Sequence, residues 1–366
     1  MARYSLNAEP VRLWIVAPVL AAAVYFAPWP AWVVDQFYSR DMYPWLQAGF
    51  TSFTNLLPFA FLDLLIGGAL IVVLFRLKRL YNVTIERGVF DAVWEMFRRV
   101  VRGASIVLLL FLWGWGCNYR RLPLERGFPG GEAVQVTDDL MKSAIFDANA
   151  LAQRLRPAVE AAKGGPSVEE IVDALPAAMN AALKEVGRTP LGEGGKPKHS
   201  MLLTPFFTRA GITGMVNPFG LEAIVHPDLL PVERPFVVAH EWAHLAGAAD
   251  EAEANAVGWL ACMHGSPVLA YSASLFLIGE AVSGLPREAR KVIMARLDPG
   301  VRGDLEAIGR RAKKEDPRVQ RAASQVYDQY LRANHVNDGT NSYQRALALI
   351  LSPPMRESLS TYGTPK

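Results

Sequence analysis

His240-Glu241-Trp242-Ala243-His244 lies in an apolar, helix-favouring stretch, PFVVAHEWAHLAGAADEAEANAVGWLAC at 235–262. Residues four apart share a helical face, so both imidazoles can reach one Zn²⁺ while the glutamate between them projects beside the metal. That pattern suits metal-assisted hydrolysis. Zinc lowers the pKa of its water from about 15.7 toward 7, and Glu241 acts as general base before passing the proton to the leaving amine of a peptide bond. The competing reading is a non-catalytic protein that uses a structural metal site as a partner-binding module. A structural site needs its ligands but has no use for Glu241.

A catalytic zinc also needs a third protein ligand and an open position. The position six residues after His244 is Asp250 rather than a third histidine, which favours a carboxylate ligand. Gly247 allows the first helix to end in a tight turn, and Asp250 can cap a second helix that carries Glu251 and Glu253 in its first turn. Asp250 and Glu253 have the spacing of a capping box, which gives Glu253 a structural task. Glu251 and Asn255 stand one turn apart, so Asn255 can orient the ligand from behind. Glu251 is therefore the expected third ligand, with Glu253 and the distant Glu280 as alternatives. A hydrogen-bond donor aimed at the developing oxyanion assists peptide hydrolysis, and Tyr343 is the expected donor, with Tyr327 and Tyr330 behind it. His226, His264 and His335 have no partner at ligand spacing and are assigned ordinary surface or core roles.

The HExxH followed by a glutamate on the next helix resembles the gluzincin class of zinc metallopeptidases, in which an E-x-x-x-D/N pair supplies the third ligand and its supporting residue. The whole layout is similar to an uncharacterised bacterial family of membrane-anchored proteins with N-terminal spans and an extracytoplasmic metallopeptidase-type domain. The matching segments are WGCNYRR (115–121), GITGMVNPFGLEAIVHP (211–227), PFVVAHEWAHLAG (235–247), EAEAN (251–255) and DGTNSYQRAL (338–347). The chain departs at Gly220-Leu221, where the resemblance leads to Thr-Gly, and at Ala256, where it leads to an aromatic. In similar peptidases a short strand beside the active-site helix pairs with the substrate backbone. Residues 211–225, including Gly214, Met215 and Asn217, are the expected strand, or else Asn217–Gly220 is simply a turn under the site.

The elements that carry these residues divide the chain in two. At 51% hydrophobic residues and a mean hydropathy of +0.14, it is more apolar than an ordinary soluble domain. Its 38 Lys+Arg against 35 Asp+Glu are too nearly balanced to argue for nucleic acid, and two cysteines exclude a disulfide framework. Three apolar stretches, at about 13–34, 56–75 and 103–119, approach the roughly 20 residues needed to cross a bilayer core. The second contains Asp63, read as a packed or partnered structural acid. Residues 84–102 read as an amphipathic helix on the cytoplasmic leaflet. Arg76, Lys78, Arg79, Arg87, Arg98, Arg99 and Arg102 lie between the second and third stretches, against Arg40 alone between the first and second, so the positive-inside rule puts residues after Tyr119 outside. Arg120, Arg121 and Arg126 pull the other way.

Residues 120–366 read as a mainly helical, gluzincin-like domain with a small β element, following a membrane anchor over 1–119. Ser167 and Glu170 form a capping box that opens a helix, and the short apolar runs of 201–225 suit strands. PVLAYSASLFLIGEAVSGL at 267–285 reads as a buried domain helix rather than a fourth span. Charged residues on both sides of the HExxH helix keep it out of lipid. The expected protein is a multi-pass bacterial inner-membrane zinc metallopeptidase whose substrates are peptides or proteins near the bilayer.

Overall fold

The computed structural model describes residues 11–128, 130, 133–162, 165–334 and 342–363, without the side chains of 11–13, 342 and 343. The chain is mainly helical. Helix α1 (Val11–Phe26) ends before Pro28 and Pro30, so the apolar run 13–34 is not one helix as expected. Neither proline can donate a backbone hydrogen bond. The chain bends by 106° and continues through α2 (Ala31–Val33), a π-helical stretch (Val34–Met42) and α3 (Tyr43–Asn55).

Helix α4 (Phe61–Arg87) starts later than the expected residue 56 and runs well past 75. Its start is fixed from outside: the Glu222 carboxylate accepts hydrogen bonds from the backbone N–H groups of Phe61 and Leu62, both at 2.8 Å. Asp63, in the first turn, accepts from the Ser200 hydroxyl and the Met201 N–H, and so is the partnered structural acid. Gly88, at φ +89°, reverses the chain into α5 (Val89–Gly114). The stretch 84–102 is thus not a separate surface helix, because a left-handed turn that glycine adopts freely divides it between α4 and α5. Helix α5 ends at Gly114, ahead of the expected 119, and a 3₁₀ turn (Gly116–Arg120) follows.

Helices α1 and α4 both pack on α5, yet Val19, Leu20, Leu70, Leu74, Phe75, Val107 and Leu110 remain exposed. By length and composition alone, among the described residues one helix qualifies to cross a membrane, Pro267–Gly284, together with the bent pair Trp14–Phe26 and Ala31–Asn55.

The remaining chain forms a helical body. Its elements are α6 (Asp138–Ala161), α7 (Val168–Glu185), α8 (Thr204–Ala210), α9 (Arg234–Leu245), α10 (Glu251–Met263), α11 (Pro267–Gly284), α12 (Arg287–Arg296), α13 (Pro299–Ala312), α14 (Pro317–Ala333), α15 (Ser342–Ile350) and α16 (Pro353–Thr361). The Ser167–Glu170 capping box opens α7 as expected. Helix α11 lies along α6 with Leu269, Tyr271, Leu277 and Ile278 buried, as a core helix does. Within 201–225 only the second half is extended, since Thr204–Ala210 is helical with Pro205 in its first turn. Strand β1 (Gly214–Asn217) pairs antiparallel with β2 (Glu222–Val225), and Lys198 bridges β2 on its other side. At the turn, where the resemblance leads to glycine, Leu221 sits at φ +45°. That geometry costs a non-glycine residue about 1–2 kcal/mol. Burial of its side chain and a hydrogen bond from Thr51 to its carbonyl hold it there.

Contacts cross the expected boundary at 119/120. Tyr43, Gln47, Thr51 and Thr54 are buried, and α3 packs on β2. The Gln47 amide donates to the carbonyl of Glu193, and that of Asn55 to the carbonyl of Gly194.

Candidate metal centre

Helix α9 is apolar on nearly every side: all of Pro235–Leu245 is buried except His240, which is half-buried. It ends as the sequence predicts, with Gly247 in the left-handed conformation at φ +88°. Asp250 caps α10, its carboxylate accepting from the Glu253 N–H at 3.1 Å. From Ala252 to Met263 α10 is fully buried, and it crosses α9 at close range. A Cβ at Gly258 would stand 2.9 Å from the His240 backbone nitrogen, so only glycine permits this approach. Glu251, Asn255 and Gly258 share one face of α10, which brings the Glu251 carboxylate to the two histidines.

The three ligand groups converge. His240 Nε2 and His244 Nε2 are 3.2 Å apart, and they lie 3.4 and 3.6 Å from the two Glu251 oxygens. Ligands about 2.0–2.2 Å from a tetrahedral zinc stand roughly 3.3–3.6 Å from each other. The donor set and its spacing therefore fit a zinc ion. The His244 Nδ1 lies 2.6 Å from the Ala248 carbonyl, which can only accept, so Nδ1 carries a proton and Nε2 is the nitrogen that faces the cluster. Among the described residues, these three are the group able to hold a metal.

The electrostatics favour positive charge between the three. Burial opposes ionisation of Glu251, but His244 and His240 outweigh it and hold the carboxyl well below the usual range. Burial likewise opposes a charged His244, yet Glu251 pushes its pKa up to about 9. Glu241 is buried beside them, and burial raises its carboxyl to about 7 against the pull of His240 and His244. Its buried Oε2 has no hydrogen-bond partner among the described residues. A Cβ at Gly214 would come within 2.4 Å of the other oxygen, so Glu241 lies directly against strand β1.

Other expected residues land elsewhere. Glu253 is held at 2.9 Å by the Leu124 N–H and paired with Arg188 and Arg345, which leaves Glu251 as the carboxylate at the histidines. Asn255 is buried one turn behind Glu251. Glu280 on α11 is not in the cluster. Asn217 is engaged within the hairpin, donating to Glu222 and accepting from the Phe219 N–H. Met215 packs with Phe207 and Ile224. The Tyr343 side chain lies outside the described residues, as does His335. Tyr327 on α14 is the tyrosine seen at the cluster, its hydroxyl donating to Glu251. His226 contacts the Thr208 hydroxyl and His264 the Glu185 carboxylate, both ordinary roles.

Sequence reasoning missed the residues that back the centre. Trp115 meets His244 edge to face, with ring centroids 6.4 Å apart, and the Tyr43 hydroxyl donates to the Leu245 carbonyl at 2.9 Å. Arg121 donates to the Gly247 carbonyl. Two of the three lie in the WGCNYRR segment, which the sequence singled out without assigning it a task.

A family model described as a protein of unknown function, DUF3810, matches residues 38–351, and the chain belongs to that family. The matched span takes in Tyr43, Trp115 and Arg121 as well as the histidines. No curated protein and no solved structure matches the chain.

Proposed function

We propose that this DUF3810 chain is a membrane-anchored zinc metallopeptidase of gluzincin type. The observation that carries the reading is the convergence of His240, His244 and Glu251 at tetrahedral spacing, with the unpaired Glu241 carboxylate beside them. A structural metal site would have no use for that fourth group.

His240, His244 and Glu251 would hold the ion, with the Ala248 carbonyl orienting His244 from behind. Zn²⁺ bound there supplies a Lewis acid that brings the pKa of water from about 15.7 toward 7. Glu241, buried beside the ligands, would take a proton from the attacking water and later return it to the leaving amine. Strand β1 lies against Glu241 and pairs only with β2 among the described strands, so its other edge is offered to an extended peptide backbone. Tyr327, whose hydroxyl donates to Glu251, is the described candidate for the oxyanion donor, with the Tyr343 side chain outside the described residues.

The exposed apolar faces of α1, α4 and α5 form the anchor: three spans that leave the helical body outside the cytoplasmic membrane. Trp115 directly follows the last of them and touches His244, so the centre works at the bilayer surface on peptide or protein segments held there.

The test is metal content and peptide-library cleavage for wild type, Glu241→Gln and Glu251→Gln. Wild type should hold about one zinc and cleave, Glu241→Gln should keep zinc without cleaving, and Glu251→Gln should lose the metal. Zinc bound equally by wild type and Glu251→Gln would remove the ligand assignment. Zinc without cleavage by any form would turn the reading to a structural, partner-binding module.

A further inference from the structure

A helix leaves its last carbonyls without intrahelical partners, and a helix end buried without them is unstable. In α9 those carbonyls belong to the segment that separates the two histidines from Glu251. His244 O accepts from the Trp115 indole N–H at 3.4 Å, Leu245 O from the Tyr43 hydroxyl at 2.9 Å, and Gly247 O from the Arg121 guanidinium at 3.3 Å. All three donors come from the N-terminal portion of the chain, more than a hundred residues away. Within the turn itself, His244 O also accepts from the Gly247 N–H at 2.8 Å and Ala248 O lies against the His244 ring, so Leu245 O and Gly247 O are the carbonyls that depend on Tyr43 and Arg121.

The donors are themselves held. Arg121 reaches Asp35 at 3.2 Å, and Asp35 also binds Arg188 at 3.1 Å, which continues to Glu253 in the first turn of α10. These four side chains are all less than 10% exposed. Asn118, fixed by Ser39, packs against Gly247. On the far side Arg345 binds Asp250, the cap of α10, at 2.8 Å.

We infer that Tyr43, Trp115 and Arg121 are positioning residues for the metal: by holding the His244, Leu245 and Gly247 carbonyls they fix the turn that sets His240 and His244 against Glu251. The proposed anchor and its juxtamembrane segment are thus part of the metal centre, and a helical body cut free of them lacks its second layer of support. The inference rests on the metal reading of His240, His244 and Glu251. It extends that reading to residues that touch neither metal nor substrate.

The test uses the full chain in detergent. Affinity for Co²⁺ and Zn²⁺ is measured by competition with a chromogenic chelator, and the visible spectrum of the cobalt form reports ligand geometry. Tyr43→Phe removes one hydroxyl and Arg121→Gln one charge-assisted donor. Each should weaken metal binding about tenfold or more, the range for loss of a supporting partner, and shift the cobalt spectrum. Tyr271→Phe is the control, since its hydroxyl serves a comparable network with Arg156 and Asp304 away from the centre. It should lower the melting temperature and leave affinity and spectrum as in wild type. Should Arg121→Gln fail to fold, Arg121→Lys keeps the charge while losing the planar donor fork and reads out the same way. Wild-type affinity and spectrum in both Tyr43→Phe and the Arg121 variant would overturn the positioning role alone, whereas a wild type that takes up no metal would bring down the metal reading beneath it.

Discussion

Glu241 is pressed from two sides: burial raises its carboxyl to about 7, and β1 passes so close that Gly214 has no room for a side chain. A methyl group there would meet Oε1 at 2.4 Å, and the contact is relieved only by moving β1 or turning the carboxylate away. The metal ligands do not touch Gly214, so the two functions of the centre should separate in Gly214→Ala. Zinc content should stay at the wild-type level while peptide cleavage falls by about a hundredfold, the usual cost of misplacing a reacting group by around an ångström. Metal analysis and cleavage rates on one preparation check this, and full activity in the variant would show that Glu241 does not work from this position. Tyr327 on α14 reaches Glu251, a contact that no spacing rule in the sequence links to the HExxH segment.

Among the elements, α9 and α10 were legible because their signals are local: two histidines a turn apart, Gly247 where a left-handed residue ends the helix, and Asp250 where the next begins. Pro28 and Pro30 mark the exit of α1 in the sequence itself. The boundaries of α4 and α5 were not legible, since an apolar run shows which residues avoid water but not where hydrogen bonding stops, and the Glu222 carboxylate and Gly88 decide that instead. The support from Tyr43, Trp115 and Arg121 was hidden for a different reason, because no spacing rule links residues so far apart in the chain. More than half of helix α11 is buried, and its one acid gives a prediction. Burial alone raises Glu280 to about 7. The folded state therefore binds this proton more tightly than the unfolded chain, whose glutamate pKa is about 4.3. Its contribution to stability is fully present below about 4.3 and is lost as pH rises through about 7. Between pH about 5 and about 8 the melting temperature of wild type should fall relative to Glu280→Gln, which has no proton to lose. Parallel profiles across that range would mean that α11 leaves Glu280 solvated.

At the scale of the whole molecule, the metal centre and the anchor share one set of interactions, so the orientation of the anchor decides which compartment the centre faces. On the proposed anchoring, the positive-inside rule places the basic residues from Arg76 to Arg102, in the α4–α5 turn region, on the cytoplasmic side. Two of the three opposing charges after α5, Arg120 and Arg121, are held by protein partners. Arg120 donates to the carbonyls of Val24, Tyr25 and Ala27 at the end of α1, and the Arg121 side chain is 5% exposed and paired with Asp35. Even Arg40 is bound to the same aspartate. On the proposed orientation, these protein partners offset the cost of leaving Arg40, Arg120 and Arg121 on the outer side. A thiol at each end reads the outcome. Glu86 lies exposed just before Gly88, and the Lys291 side chain is 63% exposed on α12 of the helical body. In a Cys117→Ala background, where the remaining Cys262 is buried, Lys291→Cys should react with a membrane-impermeant maleimide on intact cells and Glu86→Cys only after permeabilisation. The reverse pattern would put the centre in the cytoplasm and change its substrates to chains on that side, and labelling of both sites on intact cells would mean that α4 and α5 do not cross the bilayer.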